Sequence, residues 1–242
     1  MNIRHIKING HEIAYDWHKG NPEKTGLFFL GGFGSDMTGT KASFLSQKAL
    51  ENDMPFLRFD YQGCGESSGE FKDSTLGDWI ENALVLFDEC GCRRRIIIGS
   101  SMGGWIGLIL AKKREAQTKA YIGIAPAVDF TEDLVWKTLS KKQKEKTYQI
   151  KTVPNIPPNA PQISINLIQE ARNHLVFPKG MKLNMPIEIL HGEKDKTVPY
   201  RHSLKFMRRI DCPKMNLTLV KDGDHSLSTE RDLGLLWEKV QE

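Results

Sequence analysis

The chain has 242 residues, 39% of them hydrophobic and 26% charged, which is the make-up of one globular unit near the upper size for a single core. Residues 1–242 are therefore expected to form a single domain carrying an insertion. A formal charge of +4 is too small an excess for the basic footprint of a nucleic-acid partner, and the apolar runs fall far short of the ~20 residues that span a bilayer. At the start, Arg4, His5 and Lys7 interrupt the isoleucines where a secretory signal would be continuously apolar, so the expected compartment is the cytoplasm. Cys64, Cys90, Cys92 and Cys212 lack the spacing of a disulfide framework and read as reduced thiols. Cys90-Gly-Cys92 has no second ligand pair for a metal, and Asn216-Leu217-Thr218, a glycosylation pattern, falls within a predicted strand. No metal or other cofactor is expected.

In chain order, alternating stretches Ile3 to Ile8 and Glu12 to Trp17 flank Asn9-Gly10, a strong hairpin signal. Short apolar runs then recur at Leu27 to Leu30, Phe56 to Phe59, Arg95 to Ile98, Ala120 to Ile124, Ile187 to Leu190 and Met215 to Val220. Helical patterns separate them at Ala42 to Asn52, Thr75 to Cys90, Met102 to Ala116, Arg201 to Arg209 and Thr229 to Val240. Strands alternating with helices predict βαβ units and a mostly parallel sheet. Residues 127–185 break that rhythm, with a Lys-rich helix-like stretch from Thr131 to Tyr148, prolines at 154, 157, 158 and 161, and an apolar stretch from Ile163 to Leu175. They are expected to form a small helical cap over the C-terminal edge of the sheet.

The chemistry centres on Arg95-Ile-Ile-Ile-Gly99-Ser100-Ser101-Met102-Gly103-Gly104-Trp105, where a buried strand runs into a helix through Gly-x-Ser-x-Gly. So tight a reversal brings together the residues two before and two after the serine, where only small side chains fit. Ser101 has Gly99 and Gly103 at those positions, whereas Ser100 would place Ile98 and Met102 there, so Ser101 is the candidate nucleophile. A serine hydroxyl needs a base, itself oriented by an acid. Asp195, in His191-Gly-Glu-Lys-Asp195, follows a strand, and Glu193 is the competing acid. His225, in the turn Asp222-Gly223-Asp224-His225-Ser226, completes the order Ser, Asp, His. The other histidines, His191 among them, read as structural. For a developing oxyanion, the expected donors are the N–H of Met102 and that of Phe33 in Gly31-Gly32-Phe33-Gly34, with Gly34 as the fallback. That glycine run lacks the Gly-Lys-Ser/Thr ending of a phosphate loop.

These residues, with Phe59-Asp60-Tyr61-Gln62-Gly63-Cys64-Gly65-Glu66-Ser67 after the fourth strand, resemble the α/β-hydrolase family over nearly the whole chain outside the insertion. Within the family, Gly34 to Lys41, Ser74 to Trp79 and Gly99 to Trp105 are similar to the acyl-glucuronide esterase and palmitoyl-protein thioesterase branch, that of α/β-hydrolase domain-containing protein 10. The resemblance implies an eight-stranded, mostly parallel sheet with a small cap, a Ser101, Asp195 and His225 triad, and no cofactor. Gly31-Gly32 stands where many relatives have His-Gly before the oxyanion loop.

The expected activity is hydrolysis of a small-molecule acyl ester or thioester, or of an acylated protein, through an acyl-enzyme. Phe130, Leu134 and Leu167 of the insertion are candidates for lining an acyl pocket, against the alternative that they only pack the cap onto the sheet. Two rivals stand beside this reading: a serine peptidase of the same fold, separable by amide against ester turnover, and a binding protein that keeps the scaffold without turnover.

Overall fold

The computed structural model describes residues 1–89, 91–157 and 160–242. The chain opens with β1 (Ile3–Ile8) and β2 (His11–His18), joined through Asn9 and Gly10 at φ 48° and 89°, the left-handed pair that a two-residue hairpin turn requires. Then come β3 (Gly26–Leu30), α1 (Thr40–Glu51), β4 (Phe56–Phe59), α2 (Leu76–Glu89), β5 (Arg95–Ser100), α3 (Met102–Lys113) and β6 (Thr118–Ile124). The segment between β6 and the next long strand carries α4 (Lys141–Ile150), α5 (Ile165–Ala171) and β7 (Met181–Lys182). The chain ends with β8 (Ile187–Gly192), α6 (Arg201–Arg209), β9 (Ile210–Asp211), β10 (Met215–Val220) and α7 (Glu230–Gln241).

Among the described residues, eight strands form one sheet in the order β1-β2-β4-β3-β5-β6-β8-β10, in which β2 runs against both neighbours and the pairings from β4 to β10 are parallel. The mostly parallel sheet is what the alternation of elements predicts, and its eight strands are what the resemblance to α/β-hydrolases implies. The central strands read as unbroken apolar runs because helices cover both faces. In β3, Phe28 and Leu30 point into the core under α2 and α3, while Leu27 and Phe29 point into the core under α1 and α7. Ile97 and its neighbours Ile96 and Ile98 divide between the two faces in the same way. Burial of such side chains contributes about 1.5–3 kcal/mol each, before the opposing chain entropy.

Helix ends differ from the sequence reading where side chains compete for the backbone. The stretch expected as one helix from Thr131 to Tyr148 divides into a π turn (Thr131–Val135), a 3-10 turn (Trp136–Thr138) and α4. Ser140 restarts the helix: its hydroxyl accepts the Gln143 N–H at 3.3 Å, and the Gln143 side chain accepts the Ser140 N–H at 2.9 Å. The pairing of β7 with β9, two residues each, is too short to leave a periodic signal. Cys90, the expected end of α2, and Pro158 of the proline cluster lie outside the described residues.

The insertion is fastened where it leaves and rejoins the core. Asp129, just past β6, accepts the N–H of Val176 at 2.9 Å and of Phe177 at 2.8 Å. Glu170 on α5 accepts the N–H of Gly77 at the start of α2 at 2.9 Å, and Trp105 on α3 donates its indole N–H to the His174 carbonyl at 3.2 Å. Among the described residues, no helix is long and apolar enough to cross a membrane.

Candidate active site

At the end of β5 the chain reverses into α3 with Ser101 at φ 53° and ψ −117°, a conformation that ordinary residues avoid. The turn persists because its surroundings fix it: Ser101 N–H donates to the Ile124 carbonyl at 2.9 Å, and the Ser101 carbonyl accepts the N–H groups of Gly104 and Ala127, each at 2.9 Å. A Cβ on Gly99 would overlap the Gly103 carbonyl, and one on Gly103 would overlap the carbonyls of Leu30 and Gly31. The motif's two glycines are thus required by backbone contact.

Asp195 sits in the loop after β8. Its Oδ1 accepts the N–H of Thr197 and of Val198, each at 2.8 Å, so the acid is clasped by its own turn. His225 follows β10, in a loop in which Asp224 Oδ1 accepts the N–H of Ser226 at 2.9 Å and of Leu227 at 3.0 Å. The three residues converge: His225 Nδ1 lies 2.7 Å from Asp195 Oδ2, and its Nε2 lies 3.1 Å from Ser101 Oγ. An ionised carboxylate only accepts, so Nδ1 carries the hydrogen and the bare Nε2 faces the serine hydroxyl. Burial pushes the Asp195 carboxyl up, but hydrogen bonds from His191, His225 and the Val198 amide outweigh it and hold the group well below the usual carboxylate range. Glu193 is turned away, accepting the Asp222 N–H at 3.2 Å near the surface.

A cavity of about 350 Å³ opens beside Ser101 and His225, with Phe29, Gly32, Phe33, Lys41, Pro161 and Thr197 among its walls. Met102, the first residue of α3, has an N–H with no acceptor inside the helix, and Phe33 lines the cavity from the loop after β3. Phe130, Leu134 and Leu167 do not line this cavity. Phe130 packs edge-on against Phe33 and Trp105; Phe130 and Leu167 belong to the core beneath the cap, and half-buried Leu134 packs against it. Apolar character and a place in the insertion made them candidates, and apolar character alone does not separate a pocket wall from packing. The cap reaches the site through Pro161, which presses on Gly34 so closely that a Cβ there would overlap its ring. A cavity of about 460 Å³ between the cap and α6 lies apart from these groups, and Asp133 and Glu132 in its wall are paired with Lys137 and Arg172.

Two residues at the site carried no site role in the sequence reading. His191, read as structural, is fully buried with Nε2 3.3 Å from Asp195 Oδ2; its position four residues before the acid is the only signal the chain offers. Lys41 reaches from α1 to the loop of His225, donating to the Ser226 carbonyl at 2.5 Å, and a surface-type residue on a helix gives no sign of so distant a partner. Among the described residues, no group of three or more His, Cys, Asp or Glu side chains is arranged to hold a metal ion.

A serine on a strand-to-helix turn, an acid after β8 and a histidine after β10, on this sheet order, define a hydrolase fold with a candidate serine-centred site. The chain belongs to the α/β-hydrolase family: the family pattern Hydrolase_4, described as serine aminopeptidase S33, matches residues 22–176. Among individual relatives, the mitochondrial palmitoyl-protein thioesterase ABHD10 of Mus musculus is 32% identical over 229 residues, covering 93% of this chain and 76% of the relative. The human ABHD10 is 32% identical over 230 residues, covering 93% of this chain and 74% of its own length. A solved protein from Agrobacterium vitis S4 superposes with a TM-score of 0.92 at 32% identity, covering 99% of this chain and 97% of that one. Mouse α/β-hydrolase domain-containing protein 10 superposes with a TM-score of 0.92 at 29% identity, covering 100% and 97%.

Proposed function

We propose that the chain hydrolyses carboxylic esters or thioesters through an acyl-enzyme on Ser101. His225 takes the Ser101 proton as the hydroxyl attacks the acyl carbonyl, and Asp195 stabilises the imidazolium without taking its proton. The N–H groups of Met102 and Phe33 receive the oxyanion. His225 then protonates the leaving alcohol or thiol, and water repeats the attack on the acyl-enzyme with His225 again as base. The observation that carries this reading is the line of contacts from Asp195 through His225 to Ser101, at 2.7 and 3.1 Å.

The thioesterase relatives support acyl thioesters as the substrate class, with a small acyl thioester or an acylated protein as the partner. The cytoplasm stays the proposed compartment, although those relatives are mitochondrial proteins. A peptidase reading is favoured by the family pattern's description as a serine aminopeptidase, and amide turnover exceeding ester turnover would select it.

The test is turnover of p-nitrophenyl esters and of an acyl-thioester series from C2 to C16, on wild type and Ser101→Ala in parallel. A Ser101-dependent optimum along the series is expected, with a loss in kcat on the order of 10⁶-fold in the variant. Covalent labelling by a fluorophosphonate should vanish with the same substitution. Labelling retained by Ser101→Ala would sink the assignment.

A further inference from the structure

His191 stands near the end of β8 with its ring closed off from solvent, between the Asp195 turn and α6. Its Nε2 lies 2.7 Å from the Val198 carbonyl and 3.3 Å from Asp195 Oδ2; its Nδ1 lies 2.7 Å from Ser203 Oγ. A carbonyl only accepts, so Nε2 bears the hydrogen, and the Ser203 hydroxyl then donates to the bare Nδ1.

That one N–H faces two oxygens with different duties. The Val198 carbonyl belongs to the far end of the turn that wraps Asp195, and the Val198 amide donates to Asp195 Oδ1 at 2.8 Å. Oδ2 is the same oxygen that takes the His225 Nδ1–H at 2.7 Å. His191 therefore holds the turn closed from one side and shares the charge of Oδ2 with His225. A histidine kept only for packing would need the Val198 and Ser203 partners, not an approach to the oxygen on which His225 hangs.

We propose that His191 is a positioning residue that acts through Asp195: it fixes the carboxylate's orientation and divides its charge, so that Asp195 steers His225 toward Ser101 without gripping the proton too tightly. This rests on the reading that Ser101, Asp195 and His225 perform the hydrolysis. The titratable groups around the ring are Asp195 on its own loop, His225 beyond it, and His202 on α6. Burial pushes His202 below the ordinary histidine value, and its Nε2 lies 2.6 Å from the Val128 carbonyl.

The experiment measures kcat and KM on a p-nitrophenyl ester from pH 5 to 9, per active site titrated with a fluorophosphonate, and per folded protein for Ser101→Ala. His191→Leu, His191→Gln and Ser203→Ala are compared with wild type and with Ser101→Ala. His191→Leu should lower kcat about 10- to 100-fold at unchanged KM, because a donor to a charged group is lost. It should also move the acid limb of kcat/KM to higher pH, since Asp195 then holds the His225 proton more firmly. His191→Gln, whose amide N–H can replace Nε2–H, should recover most of the rate. Against an Asp195→Asn background, His191→Leu should change kcat less than about twofold, because the group it acts through is already gone.

An unmoved limb with full turnover per labelled site would overturn the inference, as would an equal loss on the Asp195→Asn background. If His191→Leu does not fold, Ser203→Ala decides: it weakens Nε2–H as a donor while keeping the ring, and a limb that stays put counts against the role. Turnover surviving in Ser101→Ala would instead overturn the hydrolytic reading itself, so the two failures are distinguishable.

Discussion

The two halves of the candidate site are built by different means. On the nucleophile side, Ser101 is held by main chain: a left-handed turn, three backbone hydrogen bonds, and glycines where carbonyls crowd in. On the acid-base side, Asp195 and His225 lie on loops after separate strands, held by side-chain bonds to amides, by His191 and by Lys41. Backbone construction tolerates little change and leaves a local sequence motif. Side-chain construction can be dismantled one bond at a time and leaves its evidence scattered over more than a hundred residues.

The contrast can be tested by damaging each side in turn. After Ser101→Ala itself, the largest expected effect is on rate: Asp195→Asn should lower kcat by about 10⁴-fold by letting His225 adopt the wrong tautomer. It should also cost stability at neutral pH. Because the folded carboxyl sits below its unfolded value, its contribution is present above pH ~4 and lost as the pH falls through the folded value. The stability gap between wild type and variant, followed by urea unfolding, should therefore close as the pH is lowered from about 5 toward 2. On the other side, Gly103→Ala should act through the fold, losing about 3 kcal/mol or more to overlap with the Leu30 and Gly31 carbonyls. A Gly103→Ala enzyme of wild-type stability would dissolve the distinction.

The smallest expected effect comes from Lys41→Met, which cuts the tether from α1 to the Ser226 carbonyl while keeping the apolar stem. A fall in kcat of roughly three- to tenfold, with labelling of Ser101 slowed to match, would show that the loop of His225 relies on a distant side chain. An unchanged rate would mean that the Asp224 turn suffices to hold it.

The same contrast explains what the sequence disclosed. β4, β10 and α6 fall where hydrophobic periodicity places them, and Ser101 was separable from Ser100 by asking which neighbours could be small. Asp195 and His225 were legible because order along the chain follows order across the sheet. The cap was harder. A capping serine at 140 split a helix that composition alone would continue, and the cavity's cap contact proved to be Pro161. Phe130 and Leu167 share the apolar character of a pocket wall, and only the packing of Phe33 and Trp105 around Phe130 assigns it to the core. His191 stood beside its partner in the sequence, but nothing in strand spacing says which way a ring at a strand end will point.

The carboxylate of Asp129 ties the chain where it leaves β6 to Val176 and Phe177, where it returns. The excursion between those points, which carries α4 and α5, has its ends stitched together. For such a loop, doubling its length adds only about 0.6 kcal/mol of closure entropy. Closure entropy therefore sets little limit on how long the excursion is; what binds the stretch from 130 to 175 to the strands around Ser101, Asp195 and His225 is contact, through Phe130 and Leu167 in the core, Glu170 at Gly77 and Pro161 against Gly34.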